Sequence, residues 1–213
     1  MIDFPESTRF GKAIPFAELR RQDVPTRFAS LIKKIVWAHK LAPLTIRLSA
    51  TDAVKEIEVL DVTLKAEGES LRKRSAVLEM LDQKIPNPII FRVFDEEGGE
   101  LETAVYPKSK AGVLYGESPV YRYCRSNKFI DFPQGLTSLE SVLMALAAEL
   151  GGMKVRAGES LKDFDARHYA LESLRADLND LEKRIKKESQ LDRKYELAKE
   201  RQSLERRIAD VQS

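Results

Sequence analysis

Apolar residues change their spacing several times along this chain, and the changes divide it into elements. From Phe28 onward, Phe28, Leu31, Ile32, Ile35, Val36 and His39 recur at three- and four-residue steps, which predicts a helix opening near Asp23 and Pro25 and closing before Pro43. From Leu44 to Ala50 the period drops to two, with Leu44, Ile46, Leu48 and Ala50 on one side, which predicts a half-buried strand. A second strand follows the Thr51-Asp52-Ala53 connection. Its phase slips, because Ile57 and Val59 share one face while Leu60, Val62 and Leu64 share the other, so either a bulge or a strand covered on both sides is expected near Val59.

Leu71, Ser75, Leu78, Leu81 and Ile85 predict a helix ending at Pro86. Ile89 to Phe94 is apolar on both faces, as in a central strand. The polar turn Asp95-Glu96-Glu97-Gly98-Gly99 joins it to a hairpin partner carrying Leu101, Thr103 and Val105. After a loop from Pro107 to Pro119, Val120 to Arg125 predicts a last strand. Thr137 and Glu140 have the spacing of a capping box, Leu139, Val142, Leu143, Leu146 and Leu150 form a stripe, and Gly151-Gly152 stops the helix. The N-terminal stretch from Ile2 to Pro15 predicts an extended arm that docks through Phe4, Phe10 and Ile14, with Pro5 and Pro15 opposing a helix.

Past Gly158 a different pattern takes over. Leu171, Leu174, Leu178, Leu181 and Ile185 alternate steps of three and four, and a second seam of Leu197, Leu204, Ile208 and Val211 is out of phase with it. Either a short turn between Lys186 and Lys194 folds two helices into an antiparallel hairpin, which Ser189-Gln190-Leu191-Asp192 favours, or one long helix carries a stutter. The reading is therefore an α+β domain over residues 1–158, with a mainly antiparallel sheet of about five strands, and a coiled-coil-like helical hairpin over 159–213. These two seams are the candidate partner-binding surface, either for another protein or for a second copy of the chain.

Composition narrows the chemistry. Lys+Arg number 36 against Asp+Glu 34, so net charge makes no case for nucleic acid or membrane. From Ser160 to the end there are 13 basic and 12 acidic residues, a solvated helical face rather than a basic arm. The one cysteine, Cys124, has no internal disulfide partner, and the first residues have neither a basic start nor an apolar run, which points to the cytoplasm. The longest apolar run, from Val142 to Ala148, is too short to cross a bilayer. The two histidines, His39 and His168, have no cysteine near them to complete a zinc set, and neither a phosphate loop nor a dinucleotide or serine-hydrolase signature occurs. No cofactor or metal is expected.

Two clusters carry candidate chemistry. Glu56, Glu58, Asp61 and Lys65 lie along one strand, and carboxylates beside a lysine are the material of a Mg2+-dependent nuclease. Such nucleases place a carboxylate and a lysine two apart on one face, a spacing absent from this strand, so a charged strand edge is the alternative. The second cluster, Lys108, Lys110, Arg122, Arg125 and Lys128 with Tyr115 among other aromatics, combines phosphate-binding and base-stacking side chains and is the candidate nucleic-acid surface. Alternation limits it, since Tyr121 and Arg122 face opposite sides of a strand.

The segments FPESTRFGKAIP, IVWAHKLAPLTIRL, EIEVLDVTLK, VLEMLDQKIPNPIIF and TAVYPK, with the tail RIKKESQLDRKYELAKERQSLERRI, together resemble the bacterial and archaeal family known as domain of unknown function 4391. The chain departs from the family pattern after Tyr115, where members tend to carry a Trp. The resemblance carries over no catalytic residue. It implies an accessory role, because the family's genes have a setting similar to phage-defence and restriction-type cassettes, beside helicase-like ATPases and DNA methyltransferases. Three functions are thus weighed: a non-catalytic accessory subunit, a direct nucleic-acid-binding subunit, and a divergent metal-dependent nuclease.

Overall fold

The computed structural model describes residues 2–15, 17–18, 25–107 and 122–213. The chain divides into two compact units, Met1–Gly151 and Gly152–Ser213. The first is an α+β unit built on a mixed six-stranded sheet in the order β1-β2-β3-β4-β5-β6. Its strands are β1 (Arg9–Ala13), β2 (Ile32–Leu41), β3 (Ile57–Leu64), β4 (Ile89–Phe94), β5 (Glu100–Val105) and β6 (Cys124–Ser126). Neighbours pair antiparallel except β3 and β4, which run parallel because helix α3 (Leu71–Lys84) carries the chain across between them.

The helix predicted over Phe28 to His39 is a strand. Only a single turn, α1 (Thr26–Ala29), precedes β2. The three-residue spacing that imitates a helix has a physical cause in two breaks of register, at Ile32/Lys34 and Trp37/His39. Each adds one unpaired residue to the alternation of two, so the buried positions fall at Ile32, Ile35, Ala38 and Leu41. The β-branched Ile32, Ile35 and Val36 suit this pleated surface. Leu44 to Ala50 is likewise not a strand. Pro43–Ile46 forms one helical turn, α2, held by a hydrogen bond from the Ala42 N–H to Thr45 Oγ1 at 2.9 Å, and Arg47 leaves it with φ at 57°. Leu44, expected to be buried, is 98% exposed.

β3 is covered on both sides from Ile57 to Leu60, and the irregularity opposite Val59 belongs to its neighbour β2. The N-terminal arm supplies β1, which pairs with β2, so the sheet has a sixth strand. The β4–β5 hairpin closes as read, with Gly98 at φ 96° and Asp95 Oδ1 accepting the Gly99 and Glu97 N–H groups at 2.7 and 3.0 Å.

On one face of the sheet α3 lays Val77, Leu78 and Leu81 against Leu60, Val62, Leu64, Phe91 and Val93. Helix α4 (Leu139–Gly151) packs beside β5 and β6 with Leu139, Val142, Leu143, Leu146 and Leu150 all buried. Its capping pair lies one residue later than Thr137 and Glu140. Ser138 and Ser141 exchange N–H to Oγ hydrogen bonds at 3.2 Å each, while the Thr137 carbonyl accepts from Ser49.

In the second unit, α5 (Leu161–Lys187) and α6 (Leu191–Gln212) pack on each other through Leu174, Leu181 and Leu204, with Leu178, Ile185, Leu197, Ile208 and Val211 around them. Arg167 ties the far end of α6 to the start of the unit. It pairs with both Glu159 oxygens at 2.7 and 2.8 Å and donates to the carbonyls of Val211 and Lys154 at 2.6 Å each. Among the described residues no helix is long and apolar enough to cross a membrane.

Candidate functional site

The irregularity in β2 decides which charged groups meet. Directly paired residues share a face of the sheet, so Trp37 opposite Leu60 and Lys40 opposite Glu58 both lie on the α3 face, although they are three apart in sequence. Ala38 is the extra residue that permits it. Glu58 in β3 and Glu56, which just precedes the strand, are brought to the same side by their shared partner Asn87. The turn Pro86-Asn87-Pro88 between α3 and β4 completes the arrangement, with the Pro88 carbonyl accepting the Glu58 N–H at 2.9 Å.

Asn87 Nδ2 donates to Glu56 Oε1 at 2.6 Å and to Glu58 Oε1 at 3.2 Å, so one amide nitrogen gathers both carboxylates. Lys40 Nζ lies 2.8 Å from Glu56 Oε2 and 5.7 Å from the centre of the Trp37 ring, whose other neighbour is Phe10 at 4.8 Å. Trp37, Glu56, Glu58 and Asn87 line a cleft of about 520 Å3 together with Lys12, Ile14, Lys84 and Ile85. Glu58 is only 2% exposed, and its Oε2 is buried with no partner.

Burial, and then the contact with Glu56, push the Glu58 carboxyl up to about 7. Burial acts on Glu56 in the same direction, but the hydrogen bonds from Lys40 and Glu58 outweigh it and hold that carboxyl below its ordinary range. Lys40 is raised in turn, chiefly by its bond to Glu56. The pair is thus an ionised Glu56 beside a Glu58 that holds its proton close to neutrality.

Of the four nuclease candidates, the fold brings together only Glu56 and Glu58. Asp61 faces the opposite side of the sheet and is clamped by Arg92 through two bonds of 2.6 and 2.8 Å. Lys65 follows the far end of β3, about 23 Å along the strand from Glu58. Lys40, which does meet the carboxylates, was passed over because the helical reading of β2 gave it no relation to β3. The other histidine of interest, His39, shares the Asp61 face, contacts Thr8 Oγ1 at 3.0 Å and the Phe4 ring at 5.0 Å, and is lowered by burial and then by Arg92.

The basic and aromatic cluster divides. Lys108, Lys110 and Tyr115 lie outside the described residues. Arg125 is engaged with Glu102 at 3.5 Å and Ser75 at 3.2 Å. Tyr123 is a core residue, 6% exposed, donating to Asp82 and edge-on to Phe91. Arg122 and Lys128 flank this strand, and Phe129 beside Lys128 is 61% exposed. The leucine seams are placed together as packing between α5 and α6, with Leu171 also buried. Among the described residues no group of three or more His, Cys, Asp or Glu side chains converges on a metal position.

The fold and site define a mixed-sheet α+β protein with a C-terminal helical unit and, at a sheet-face cleft, a carboxylate pair of a buried Glu58 and a half-buried Glu56. Residues 2–208 match the family described as Domain of unknown function (DUF4391), and the chain belongs to that family. Comparison with the curated proteins and with the solved structures gives no match.

Proposed function

We propose that the chain is a non-catalytic accessory subunit of a phage-defence or restriction-type DNA-processing system. Its coiled-coil hairpin docks onto a larger partner, a helicase-like ATPase or a DNA methyltransferase. The observation that supports this reading is at the tip of the hairpin. Leu191 and Tyr195, one helical turn apart at the start of α6, are 83% and 63% exposed, more than the other exposed large apolar side chains of the unit, Tyr169 at 51% and Val155 at 43%. The seam leucines hold the two helices to each other, so the docking surface is the tip and the outer faces rather than the seam.

The test is capture of partners by the full chain from cells carrying the neighbouring genes, with and without nuclease treatment, against a Leu191→Ser, Tyr195→Ser double variant. The reading requires a protein partner that survives nuclease treatment and is lost in the double variant. Capture of nucleic acid alone, equal for both chains, refutes it.

A second reading, direct nucleic-acid binding, is favoured by one observation, the exposed Phe129 ring next to Lys128. It predicts salt-sensitive DNA binding that charge reversal at Lys128 and Arg122 reduces. Binding that ignores both changes removes this surface from consideration.

A further inference from the structure

We propose that the cleft lined by Trp37 binds a small amphipathic monoanion, a carboxylate or sulfonate on an apolar body, whose charge is held by Lys12 and Lys84. The site lies wholly in the sheet unit and stands apart from the docking reading. Hydrogen-bonding capacity in the lining is uneven. Its carboxylates are already engaged: Glu56 takes bonds from Lys40, Asn87 and Glu58, Glu58 accepts from Asn87, and Glu18 has an interaction of its own. The donors are not. Among the described residues Lys12 and Lys84 make no ion pair and no side-chain hydrogen bond, and Trp37 Nε1 is buried without an acceptor. A cleft with spare donors and engaged acceptors selects a ligand that accepts, and ammonium groups select one that is negatively charged.

The neighbouring carboxylates do not oppose this. The Glu56–Glu58 pair carries one charge while Glu58 keeps its proton, and Lys40 offsets that charge at 2.8 Å from Glu56. Lys12 on β1 and Lys84 at the end of α3 then face only Glu18 as an opposing charge in the lining. The remaining walls define the other half of the ligand. Ile14, Leu60, Leu81 and Ile85, with Pro86 and the Trp37 ring, surround about 520 Å3, within the range of small-molecule sites that are mostly apolar with a few placed polar groups. An inorganic anion would reach the lysines but leave these walls against water, so the ligand needs an apolar body.

The experiment uses the full chain and anilinonaphthalene sulfonate, an aromatic monoanion that accepts energy from tryptophan. Trp37 is the only tryptophan in the sequence and lines the cleft, so its emission reports a probe bound there. At pH 6.5 the probe should quench Trp37 saturably, one molecule per chain, and octanoate should displace it. Octanol, with the same chain and no charge, should compete at least about tenfold more weakly, as on loss of a charge-assisted hydrogen bond. Lys12→Glu combined with Lys84→Glu should weaken the probe by at least about tenfold. Both lysines are exposed, so the double variant keeps its fold, and Lys183→Glu on the helical unit should leave binding unchanged. Trp37 emission that does not respond to millimolar probe, or quenching that never saturates, overturns the site in the unaltered chain. Equal displacement by octanol and octanoate overturns the anion half of the proposal. Undiminished binding in the folded double variant overturns the placement of the charge at Lys12 and Lys84.

Discussion

Replacing Glu58 by Gln should stabilise the protein at neutral pH and leave it nearly unchanged at pH 4.5. The side chain is 2% exposed, and its carboxyl is pushed up to about 7 from an ordinary 4.5, by burial first and by Glu56 second. Between those two values the unfolded chain releases the proton while the folded chain retains it, so the folded state binds more protons and stability falls as pH rises. The contribution is fully present below 4.5 and gone above about 7. Two and a half pH units at about 1.4 kcal/mol each give a ceiling of about 3.5 kcal/mol. Glu56 works in the opposite sense, because it is lowered, and trims that ceiling. The other charged groups around the pair are Lys40 on β2 and Lys12, Glu18 and Lys84 along the cleft. At about 2–4 °C per kcal/mol for a unit of this size, the variant should melt on the order of 5–10 °C above the parent at pH 8. Thermal melts at the two pH values provide the assay. A difference between parent and variant that is the same at pH 4.5 and pH 8 would refute the reasoning.

In the helical unit, Arg167→Ala removes two bonds to Glu159 and two to backbone carbonyls, leaving a nearly buried Glu159 without a charge partner and held only by the Arg156 N–H. The loss should be about 3 kcal/mol, seen as a lower denaturant midpoint for that unit. Leu181→Ala should cost about 2–4 kcal/mol by opening a cavity between α5 and α6, measurable as earlier loss of helical circular dichroism. Gly98→Ala places a side chain at φ 96° in the β4–β5 turn and should cost about 1–2 kcal/mol in urea unfolding, whereas no effect would mean the turn relaxes freely.

The legible parts of the fold were those with one unbroken period. Leu71–Lys84 and Leu139–Gly151 were readable as helices from their stripes, and the β4–β5 hairpin from its apolar runs and Gly98-Gly99. The strand misread as a helix shows the limit of this procedure. Two register breaks in β2 give Ile32, Ile35, Ala38 and Leu41 a spacing of three, and period alone does not distinguish that from a helix. The β-branched residues were the available signal. Leu44 to Ala50 failed for the converse reason, since alternation over so few residues also arises in a proline-initiated turn. The site was half visible. Glu56 and Glu58 were candidates on their own strand, but Lys40 and Asn87 come from elements whose position depends on the β2 irregularity and on the α3 crossover.

The docking reading is tested most directly by hydrogen exchange on the full chain, alone and with the protein captured from the neighbouring-gene background. The account predicts that amides from Glu188 to Lys199, around the junction of α5 and α6, gain protection on binding while β2 and β3 exchange as before. Protection confined to the sheet unit, with the hairpin tip exchanging as freely as in the isolated chain, would contradict it.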